Sequence, residues 1–514
     1  METLPQILAR NVALIPDQTF LIWEDERISH AEFGRRTARM ANVLGAAGIG
    51  PGDRVGLYLP STPMMAVAFW ACQRLGAVPA PISAMFRQSE LTAILSSSRI
   101  RALVTDAATQ AYFDTIRADL PGDVPAFVTG GAAGAGDTDL DAAMKDAPDS
   151  FDDHPATPHD TAALFFTSGT TGRPKAIEQT HFNNCSSFRD MMVAHGTQYG
   201  RETYLCAVPL FTNFGLTVTL NLCAYTGGTM VLHERWDTER VLTDIARHKA
   251  SYFGGTPTMY VYMVGGYDPA RHDLTSLRVC TTGGSPVPQP VIRRFEELSG
   301  VKVSQVYGAT ETCGQNVMEP VAGLRKPGAA GLPVGSSRIL IVDEDGQPMP
   351  VGEVGEVVIG GDCVTPGYAD DPEATAAAFG PDGWRSGDLG YVDADGFLFI
   401  VDRKKDVIIT GGHNIYPLEV ESTLYQHGGV SICAVVPEPD EAKGEIPVAV
   451  VVPLEGREVS ADDLMAFCRD NLAAYKVPRR IELIDDMPVE AAKIRKRDLV
   501  EALKSGGLDK YRKG

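Results

Sequence analysis

A short polar segment at residues 167–175 carries the residue types best suited to binding phosphate groups. It reads TSGTTGRPK and combines hydroxyls, glycines and two cations with almost nothing apolar. Glycine lets main-chain N–H groups approach oxygen closely, hydroxyls add neutral donors, and the cations offset the charge of a polyphosphate. A mobile surface loop is the alternative for such a segment taken alone. As a phosphate-binding loop it predicts ATP contacts from Thr167, Ser168, Gly169, Thr170, Thr171, Gly172 and Lys175.

This segment differs from the P-loop of nucleoside triphosphatases. That loop requires Gly-Lys-Ser/Thr at the start of a helix, whereas here Lys175 follows Pro174 and precedes Ala176. The segment therefore indicates a different kind of ATP chemistry.

Four further polar segments follow in a fixed order. They are 283–286 (GGSP), 307–311 (YGATE), 384–388 (WRSGD) and 402–414 (DRKKDVIITGGHN). Together with the first segment they resemble the motifs of the adenylate-forming superfamily of acyl-CoA synthetases, peptide-synthetase adenylation domains and luciferases. Each motif is weak alone, but five in this order, with a likeness that covers nearly the whole chain, are specific.

The resemblance implies an AMP-forming acid–thiol ligase of the acyl-CoA synthetase type. Such an enzyme uses ATP and Mg²⁺ to convert a carboxylic acid into an acyl-adenylate, and coenzyme A then displaces AMP to give a thioester. An amide ligase of the same superfamily, in which an amino acid or amine captures the adenylate, is the alternative. A non-catalytic protein on the same fold is disfavoured because the motif residues are intact.

The motif around residue 307 has the chemistry to hold the nucleotide. The Thr310 hydroxyl can hold the α-phosphate, and the Glu311 carboxylate can bind the Mg²⁺ that bridges phosphate oxygens. Tyr307 offers a ring face to adenine, and the backbone of Gly283 and Gly284 can lie against the base because no Cβ intervenes. The nucleotide set also includes Ser285, Gln305 and Gly308.

Two later residues gain their roles from the resemblance. Asp388 corresponds to the family carboxylate that accepts both ribose hydroxyls, and Arg403 to the arginine that contacts ribose and phosphate. Without the family, Asp388 would be interpreted as a turn residue in the sequence SGD.

Lys493 is the predicted catalytic cation of the first half-reaction. Attack of a carboxylate on the α-phosphorus brings two anions together and needs a cation at the bridging oxygens. Most relatives have Thr-x-x-Gly-Lys at this place, whereas this chain has PVEAAK at 488–493, one residue shorter and without Thr or Gly. This departure leaves the amide-ligase alternative open. Lys496, Arg495 and Lys476 are alternative cations, or all belong to a solvated basic face.

The resemblance also predicts a hinge and an acceptor site. Lys405 corresponds to the hinge about which relatives rotate the small domain between the half-reactions. Gly411, Gly412 and Lys443 are the candidates for the thiol tunnel and the nucleotide end of coenzyme A. A Gly-Gly pair is also compatible with a simple turn between strands.

The acyl pocket is predicted by position in the family fold. Relatives commonly have His where Thr212 stands and Gly where Val306 stands, and a valine at the pocket floor leaves less room for long chains. The predicted set contains no Arg or Lys for a second carboxylate, which disfavours diacids. We therefore predict a small-to-medium, cyclic or branched apolar acid. The predicted lining is Thr212, Phe214, Val218, Thr281, Gly284, Val306, Gly314 and Gln315.

Composition is that of a soluble globular protein with more than one domain. The 514 residues are 44% hydrophobic and 22% charged, and the net charge of −20 disfavours nucleic acid and anionic membranes as partners. Nine scattered cysteines without C-x-x-C pairs are typical of reduced cytoplasmic thiols. No signal peptide is evident, and residues 203–232, which lack charge, are broken by Pro, Asn and Gly and predict no membrane span. The expected partners are the acid and coenzyme A or an amine, with a homodimer left open.

Alternation of strand and helix patterns predicts an α/β fold of doubly wound parallel sheets. Residues 331–401 have short strands with Gly-Asp turns, which predicts a β-subdomain, and a small mobile α+β module closes the chain. The Gly/Ala/Asp-rich stretch 130–147 is expected to be a loose surface insert. The predicted division is 1–401 for nucleotide and acid, 402–406 for the hinge and 407–514 for the mobile catalytic domain.

Overall fold

The computed structural model describes residues 1–167, 175–284, 289–454, 456–490 and 493–512, with only the backbone at Glu490 and Lys493. Residues up to 167 form strands β1 (Thr19–Trp23), β2 (Glu26–Ser29), β3 (Arg54–Tyr58), β4 (Val78–Ile82), β5 (Ile100–Asp106), β6 (Ala126–Thr129), β7 (Thr138–Asp139) and β8 (Thr161–Thr167). The helices of this part are α1 (Leu4–Leu14), α2 (His30–Ala46), α3 (Pro63–Leu75), α4 (Gln88–Ser97), α5 (Ala107–Asp114) and α6 (Leu140–Asp146).

The next part supplies most of the site. Its strands are β9 (Lys175–Thr180), β10 (Thr203–Cys206), β11 (Thr229–Leu232), β12 (Tyr252–Gly255), β13 (Val279–Gly283), β14 (Val303–Tyr307), β15 (Val317–Met318), β16 (Leu332–Pro333), β17 (Arg338–Val342), β18 (Gly355–Gly360), β19 (Gly367–Tyr368), β20 (Phe379–Gly380), β21 (Gly383–Val392) and β22 (Leu398–Arg403). Its helices are α7 (His181–Ala194), a π-helix (Phe214–Asn221), α8 (Leu222–Tyr225), α9 (Thr238–His248), α10 (Pro257–Gly266), α11 (Gln289–Ser299), a 3₁₀ turn (Thr310–Thr312) and α12 (Pro372–Ala378).

The C-terminal part begins with a 3₁₀ turn at Lys404–Asp406. It continues through β23 (Ile408–Thr410), β24 (His413–Ile415), α13 (Pro417–Leu424), β25 (Val430–Asp440), β26 (Gly444–Pro453), α14 (Ala461–Asn471), β27 (Arg480–Leu483), β28 (Val489–Glu490), β29 (Lys493–Ile494), α15 (Lys496–Ser505) and a 3₁₀ turn at Gly507–Tyr511.

Two large sheets confirm the predicted doubly wound α/β fold. One has the order β4-β3-β5-β6-β7 with parallel pairing throughout. The other has the order β16-β15-β14-β13-β12-β10-β11-β1-β2, parallel from β14 to β1 and antiparallel at its edges. The carboxyl ends of neighbouring parallel strands meet at one sheet edge, where α/β proteins bind ligands. The second sheet therefore presents the ends of β13 and β14 together.

Smaller antiparallel sheets surround this edge. Strands β19, β9 and β8 form one, and β17, β18, β21, β20 and β22 form the predicted β-subdomain. The C-terminal sheet, β24-β23-β26-β25 with β27 parallel to β26, has its own apolar core that includes Ile408, Val435 and Leu464. The residues after β22 therefore form a C-terminal unit with a core of its own.

Local chemistry explains the start of α2 and both ends of α3. The Ser29 hydroxyl accepts a hydrogen bond from the Glu32 N–H at the start of α2. Helix α3 begins with Pro63 and is followed by Gly76 in the left-handed conformation, which stops it.

The expectation of a loose insert at 130–147 was wrong for residues 138–146. The segment contains β7 and α6, with the Leu140 side chain fully buried and the Asp139 side chain capping the helix. The Asp137 side chain is also fixed in position, because its carboxylate forms an ion pair with Arg117 at 2.7 Å and accepts a hydrogen bond from the Ala126 N–H at 2.9 Å. A few anchoring contacts therefore order a stretch whose average composition is typical of a loop.

Within the described ranges, none of the helices combines the length and the apolar character that a membrane crossing requires. All nine cysteines lie in these ranges, and each has a free, buried thiol.

Candidate active site

The two ends of the predicted phosphate loop are adjacent in the structure. Thr167 and Lys175 are paired residues of the antiparallel strands β8 and β9. The predicted nucleotide residues Ser168, Gly169, Thr170, Thr171, Gly172 and Ser285 lie outside the described residues. Strand β9, which begins at Lys175, also pairs with β19.

A tight turn carries Thr310 and Glu311. An ideal Cβ at Gly308 would lie 1.7 Å from the Gly314 carbonyl oxygen, so only glycine permits this close backbone approach. Cys313 ends the 3₁₀ turn in the left-handed conformation at φ 54°. The turn thus sets Thr310 and Glu311 directly after the carboxyl end of β14.

Glu311 is a buried carboxylate with a tyrosine partner. The Tyr368 hydroxyl donates to Glu311 Oε1 at 3.2 Å, and Lys175 Nζ lies 4.5 Å from the centre of the Tyr368 ring. Burial and the neighbouring Glu311 charge raise the pKa of Tyr368 to about 12, so this hydroxyl stays a donor at neutral pH. A carboxylate oxygen is a suitable ligand for Mg²⁺, so the residue present fits the ion that the family uses.

Asp388, Tyr307 and Arg403 form one cluster. The Tyr307 hydroxyl donates to Asp388 Oδ2 at 2.7 Å, and Arg403 Nε lies 3.1 Å from Asp388 Oδ1. The pairing of Asp388 with Arg403 across β21 and β22 accounts for this geometry. Burial, followed by the charge of Asp388, raises the pKa of Tyr307 well above its ordinary value. The cluster presents a buried carboxylate beside an exposed guanidinium.

At the ends of β13 and β14, the predicted site residues lie on two different faces of the sheet. Gly283 pairs with Val306, and an ideal Cβ at Gly283 would lie 2.7 Å from Val306 Cγ2. Side chains alternate along a strand, so Gln305 and Tyr307 project from the opposite face to Val306. The main chain of Gln305 also pairs with that of Glu319 at 2.9 Å. Residue 284 follows with φ +87°, a conformation that favours glycine.

The face that carries Val306 also carries most of the predicted acyl set. An ideal Cβ at Gly254 would lie 3.2 Å from Phe214 Cε2 and 3.1 Å from Thr281 Oγ1, so these two side chains are neighbours. Gly314 is close to Val218, because the distance from an ideal Cβ at Gly314 to Val218 Cγ2 would be 3.0 Å. The π-helix therefore lies against β12 and β13 and against the turn after β14.

Two members of this set have local hydrogen bonds. The Thr212 hydroxyl donates to the Pro209 carbonyl at 2.7 Å and accepts the Gly215 N–H at 3.0 Å, which organises the start of the π-helix. Gln315 Oε1 lies 3.0 Å from His195 Nε2.

Lys493 begins β29, whose main chain pairs with that of β28. Glu490 is the partner of Lys493, and the Arg495 N–H donates to the Pro488 carbonyl at 2.8 Å. The hairpin therefore forms without the Thr and Gly that most relatives have. The Lys493 side chain lies outside the described atoms.

The alternative cations are engaged in ion pairs. Lys496 Nζ lies 2.8 Å from Glu421 Oε1, and Lys476 Nζ lies 2.6 Å from Glu419 Oε1. Arg495 Nε lies 3.0 Å from Asp498 Oδ2. Burial opposes the charge on Lys496, yet Glu421 and Asp402 hold the pKa of this lysine above its ordinary value.

The hinge and acceptor candidates lie on the C-terminal part. Lys405 is exposed in the 3₁₀ turn that follows β22. Asp402, just before this turn, accepts the Leu418 N–H at 2.8 Å, and burial raises the pKa of Asp402 to about 6. The Gly411 N–H donates to the Lys443 carbonyl at 2.8 Å, so two predicted acceptor residues meet, with Gly412 beside them at φ 83°.

Sequence reasoning missed Gln179 and Tyr368. The fully buried Gln179 side chain donates to the Thr310 carbonyl at 2.9 Å and to Asn213 Oδ1 at 2.8 Å. Its Oε1 accepts from Thr217 on the π-helix at 3.3 Å. Gln179 stands between the polar residues Glu178 and Thr180 at the end of β9, so the sequence held no local signal for it, and Tyr368 had none either. Both position residues of the predicted site.

Comparison with known proteins agrees with this arrangement. Residues 8–369 match the family model described as AMP-binding enzyme, and residues 419–493 match the AMP-binding enzyme C-terminal domain. A feruloyl-CoA synthase from an Amycolatopsis species is 37% identical over 93% of this chain and 94% of its own length.

Two solved structures share the fold over almost all of both chains. An anthranilate CoA ligase in complex with anthranoyl-AMP has a TM-score of 0.92 and 27% identity, covering 98% of each chain. The o-succinylbenzoate coenzyme A synthetase of Bacillus subtilis, in complex with ATP and a magnesium ion, has a TM-score of 0.84 and 32% identity. It covers 96% of this chain and 99% of its own.

The chain belongs to the AMP-binding enzyme family of adenylate-forming ligases. It is an AMP-forming acid–thiol ligase of the acyl-CoA synthetase type that uses ATP, Mg²⁺ and coenzyme A. The acid is first converted to an acyl-adenylate and then to a thioester. The amide-ligase alternative has less support, because the relatives named above are CoA ligases or synthetases.

Proposed function

We propose that Asp388 binds the ribose of ATP and that Arg403 binds ribose and phosphate, with adenine between Tyr307 and the backbone of Gly283 and Gly284. The observation that carries this proposal is the cluster in which Tyr307 and Arg403 both contact the buried Asp388 carboxylate. Its partners hold the carboxylate in place, and a carboxylate held in this way can accept two ribose hydroxyls. Gln305, Gly308 and the segment from Thr167 to Lys175 complete the nucleotide site.

The chemistry of the first half-reaction lies at the turn after β14. Thr310 binds the α-phosphate, and its main chain is fixed by Gln179. Glu311 binds Mg²⁺, which supplies charge neutralisation at the phosphate oxygens. A carboxylate oxygen of the acid attacks the α-phosphorus, pyrophosphate leaves, and Lys493 stabilises the charge at the bridging oxygens. The pairs made by Lys496 and Lys476 support Lys493 in this role, because these two lysines already neutralise glutamates.

Asp388→Ala is expected to raise the KM for ATP about tenfold or more. The variant loses charge-assisted hydrogen bonds to ribose that contribute roughly 1.5–3 kcal/mol. Steady-state pyrophosphate release at varied ATP concentration measures the effect, and Asp382→Ala, which removes an exposed carboxylate just before β21, is the matched control. An unchanged KM in Asp388→Ala would restrict Asp388 to a structural turn.

The chain divides into residues 1–401, a hinge at 402–406 and a mobile domain at 407–514. The separate apolar core after residue 407 supports this division. Rotation about Lys405 withdraws Lys493 and brings Gly411, Gly412 and Lys443 to the active site. There the coenzyme A sulfur attacks the acyl carbon, and AMP leaves. The main-chain contact between Gly411 and Lys443 supports their assignment to one acceptor surface.

The acid has a small-to-medium, cyclic or branched apolar body. Phe214, Val218, Thr281, Val306 and Gly314 enclose it, together with Thr212, Gly284 and Gln315. Phe214 and Thr281 both lie close to Gly254, which supports their assignment to one pocket. Ferulate and anthranilate, the acids of two similar enzymes, are both aromatic.

Val306→Gly is expected to shift the preferred acid toward longer chains. Removal of the side chain opens the pocket floor beside Gly283. Each additional methylene of the acid that the opened pocket accommodates should then favour the longer acid by roughly 1–3 kcal/mol in the comparison of kcat/KM values. The native acid should react more slowly, because the cavity left by the valine side chain removes contacts that it made. Rates on graded straight-chain acids and on aryl and cycloalkyl acids measure the shift. A parallel drop for every acid would mean that Val306 packs behind the adenine site.

One experiment tests the proposed activity as a whole. The protein is incubated with ATP, Mg²⁺, a panel of acids and either coenzyme A or amino acids, and the products are analysed by mass. We expect acyl-AMP without an acceptor and acyl-CoA with coenzyme A. Amide products in place of thioesters would favour the amide-ligase alternative instead.

We also propose a cytoplasmic location, which the nine free, buried thiols support. A homodimer stays a prediction.

A further inference from the structure

The buried amide of Gln179 connects two parts of the proposed active site. Its Nε2 donates to the Thr310 main-chain carbonyl at 2.9 Å and to Asn213 Oδ1 at 2.8 Å. Its Oε1 accepts from the Thr217 hydroxyl at 3.3 Å, and the residue has no exposed surface. One side chain on β9 thus bonds both to the turn after β14 and to the segment that forms the π-helix.

The two ends of this connection belong to different substrates in the proposed site. Thr310 is the proposed ligand of the α-phosphate. Asn213 stands between Thr212 and Phe214, which are both part of the proposed acyl lining. Gln179 therefore lies between the place where ATP reacts and the pocket that holds the acid.

The contacts of Gln179 require a primary amide. The bonds to Thr310 and Asn213 use both hydrogens of Nε2, and the bond from Thr217 uses a lone pair of Oε1. A carboxylate of the same size offers no donor, and an apolar side chain offers neither a donor nor an acceptor. Replacement by an apolar residue therefore breaks all of these contacts at once.

We propose that Gln179 is a positioning residue that sets the carboxylate of the acid and the α-phosphorus of ATP relative to each other for adenylation. It acts through Thr310 and Asn213. Attack requires the reacting atoms to lie about 3–3.5 Å apart and aligned, so a looser connection between the two subsites mainly slows the chemical step. This inference rests on the proposed function and deepens it.

Gln179→Met tests the proposal, because methionine is similarly long and unbranched but makes none of the amide hydrogen bonds. A panel of straight-chain, aryl and cycloalkyl acids is assayed by pyrophosphate release, and the acid with the highest wild-type kcat/KM serves as the probe. We expect kcat to fall at least about tenfold, because misplaced reactants react slowly. The KM for ATP should change by less than about threefold, because the ribose contacts proposed for Asp388 and Arg403 are kept.

Gln73→Met is the matched control. Gln73 on α3 is also buried, and its Nε2 donates to the Ala162 carbonyl at 2.6 Å. Ala162 lies near the start of β8, at the opposite end of this strand from Thr167. The control loses the same kind of buried hydrogen bond and should show a lower Tm, but its kcat should stay at the wild-type value.

Asn213→Ala provides a second test that keeps Gln179 and does not depend on the folding of Gln179→Met. It removes only the contact at the acyl side, and we expect kcat to fall by about threefold or more. If both residues act through one connection, the double variant should be no slower than Gln179→Met, whereas independent residues would give additive losses.

Four results would overturn this inference. They are a wild-type kcat in Gln179→Met or in Asn213→Ala, an equal loss of kcat in Gln73→Met, a higher KM for ATP in place of a lower kcat, and additive losses in the double variant. If wild type adenylates acids and any of these results is obtained, the proposed function stands and this inference fails. If wild type adenylates none of the acids, both fail.

Discussion

Lys493→Ala is expected to lower the rate of acyl-adenylate formation by about 10²–10³-fold. The variant removes the cation that stabilises charge at the bridging oxygens when two anions approach each other. Thioester formation from pre-made acyl-adenylate should stay near the wild-type rate, because the lysine acts only in the first arrangement. Pyrophosphate release measures the first step, and coenzyme A ester formation from synthetic acyl-adenylate measures the second.

The neighbouring lysines provide the controls for this experiment. Lys504→Ala removes an exposed lysine near the end of α15 and should leave both rates unchanged. Wild-type adenylation in Lys493→Ala would move the catalytic role to Arg495 or Lys496. Arg495→Ala distinguishes these two, since replacement of Lys496 also leaves the buried Glu421 carboxylate without its 2.8 Å partner. Equal loss of both half-reactions in Lys493→Ala would indicate disturbed folding.

Lys405→Pro is expected to leave adenylation nearly intact and to stall the thioester step. Proline fixes φ near −65° and restricts the residue before it, so the main chain can no longer rotate at this position. The contact between Asp402 and the Leu418 N–H spans the proposed hinge at 2.8 Å, and rotation about Lys405 must rearrange it. Thioester formation should therefore fall much more than pyrophosphate release in a single-turnover comparison of the two steps.

Lys405→Ala separates hinge motion from the loss of the side chain. This variant keeps the rotation and loses only the exposed ammonium, so both half-reactions should resemble wild type. A slow second step in Lys405→Ala would assign the effect to the charge. Equal loss of both steps in Lys405→Pro, with a lower Tm, would indicate that proline disturbed folding.

Motif residues were predictable because each motif is a short local stretch. The turn that carries Thr310 and Glu311 depends on Gly308 and Gly314, all within seven residues. Strand and helix patterns likewise gave the α/β fold, since α2, α3 and β5 depend mainly on the local arrangement of apolar residues and caps. The prediction of a loose insert failed within 130–147, because Asp137 and Leu140 are ordered by contacts with residues elsewhere in the chain.

The contacts that position the site could not be predicted in this way. Gln179 reaches Thr310 across 131 residues, and Tyr368 reaches Glu311 across 57. His195 and Gln315 meet across 120 residues. No local pattern encodes such pairs, because they depend on how sheets, the π-helix and the β-subdomain pack together. Tyr307 shows the same limit, since its motif led to an adenine prediction but gave no sign of its hydrogen bond to Asp388.

By itself, the sequence determined the chemistry of this enzyme. The order of the five motifs predicted a nucleotide site, a metal carboxylate and a mobile C-terminal unit, because these functions need particular residue types at short spacing. Tertiary structure alone decided which of the predicted residues share a face of the sheet. Strand register places Val306 and Thr281 on one face and Tyr307 on the other. The contacts of His195 with Gln315 and Tyr252 exist only where the residue after α7, strand β12 and the turn after β14 come together.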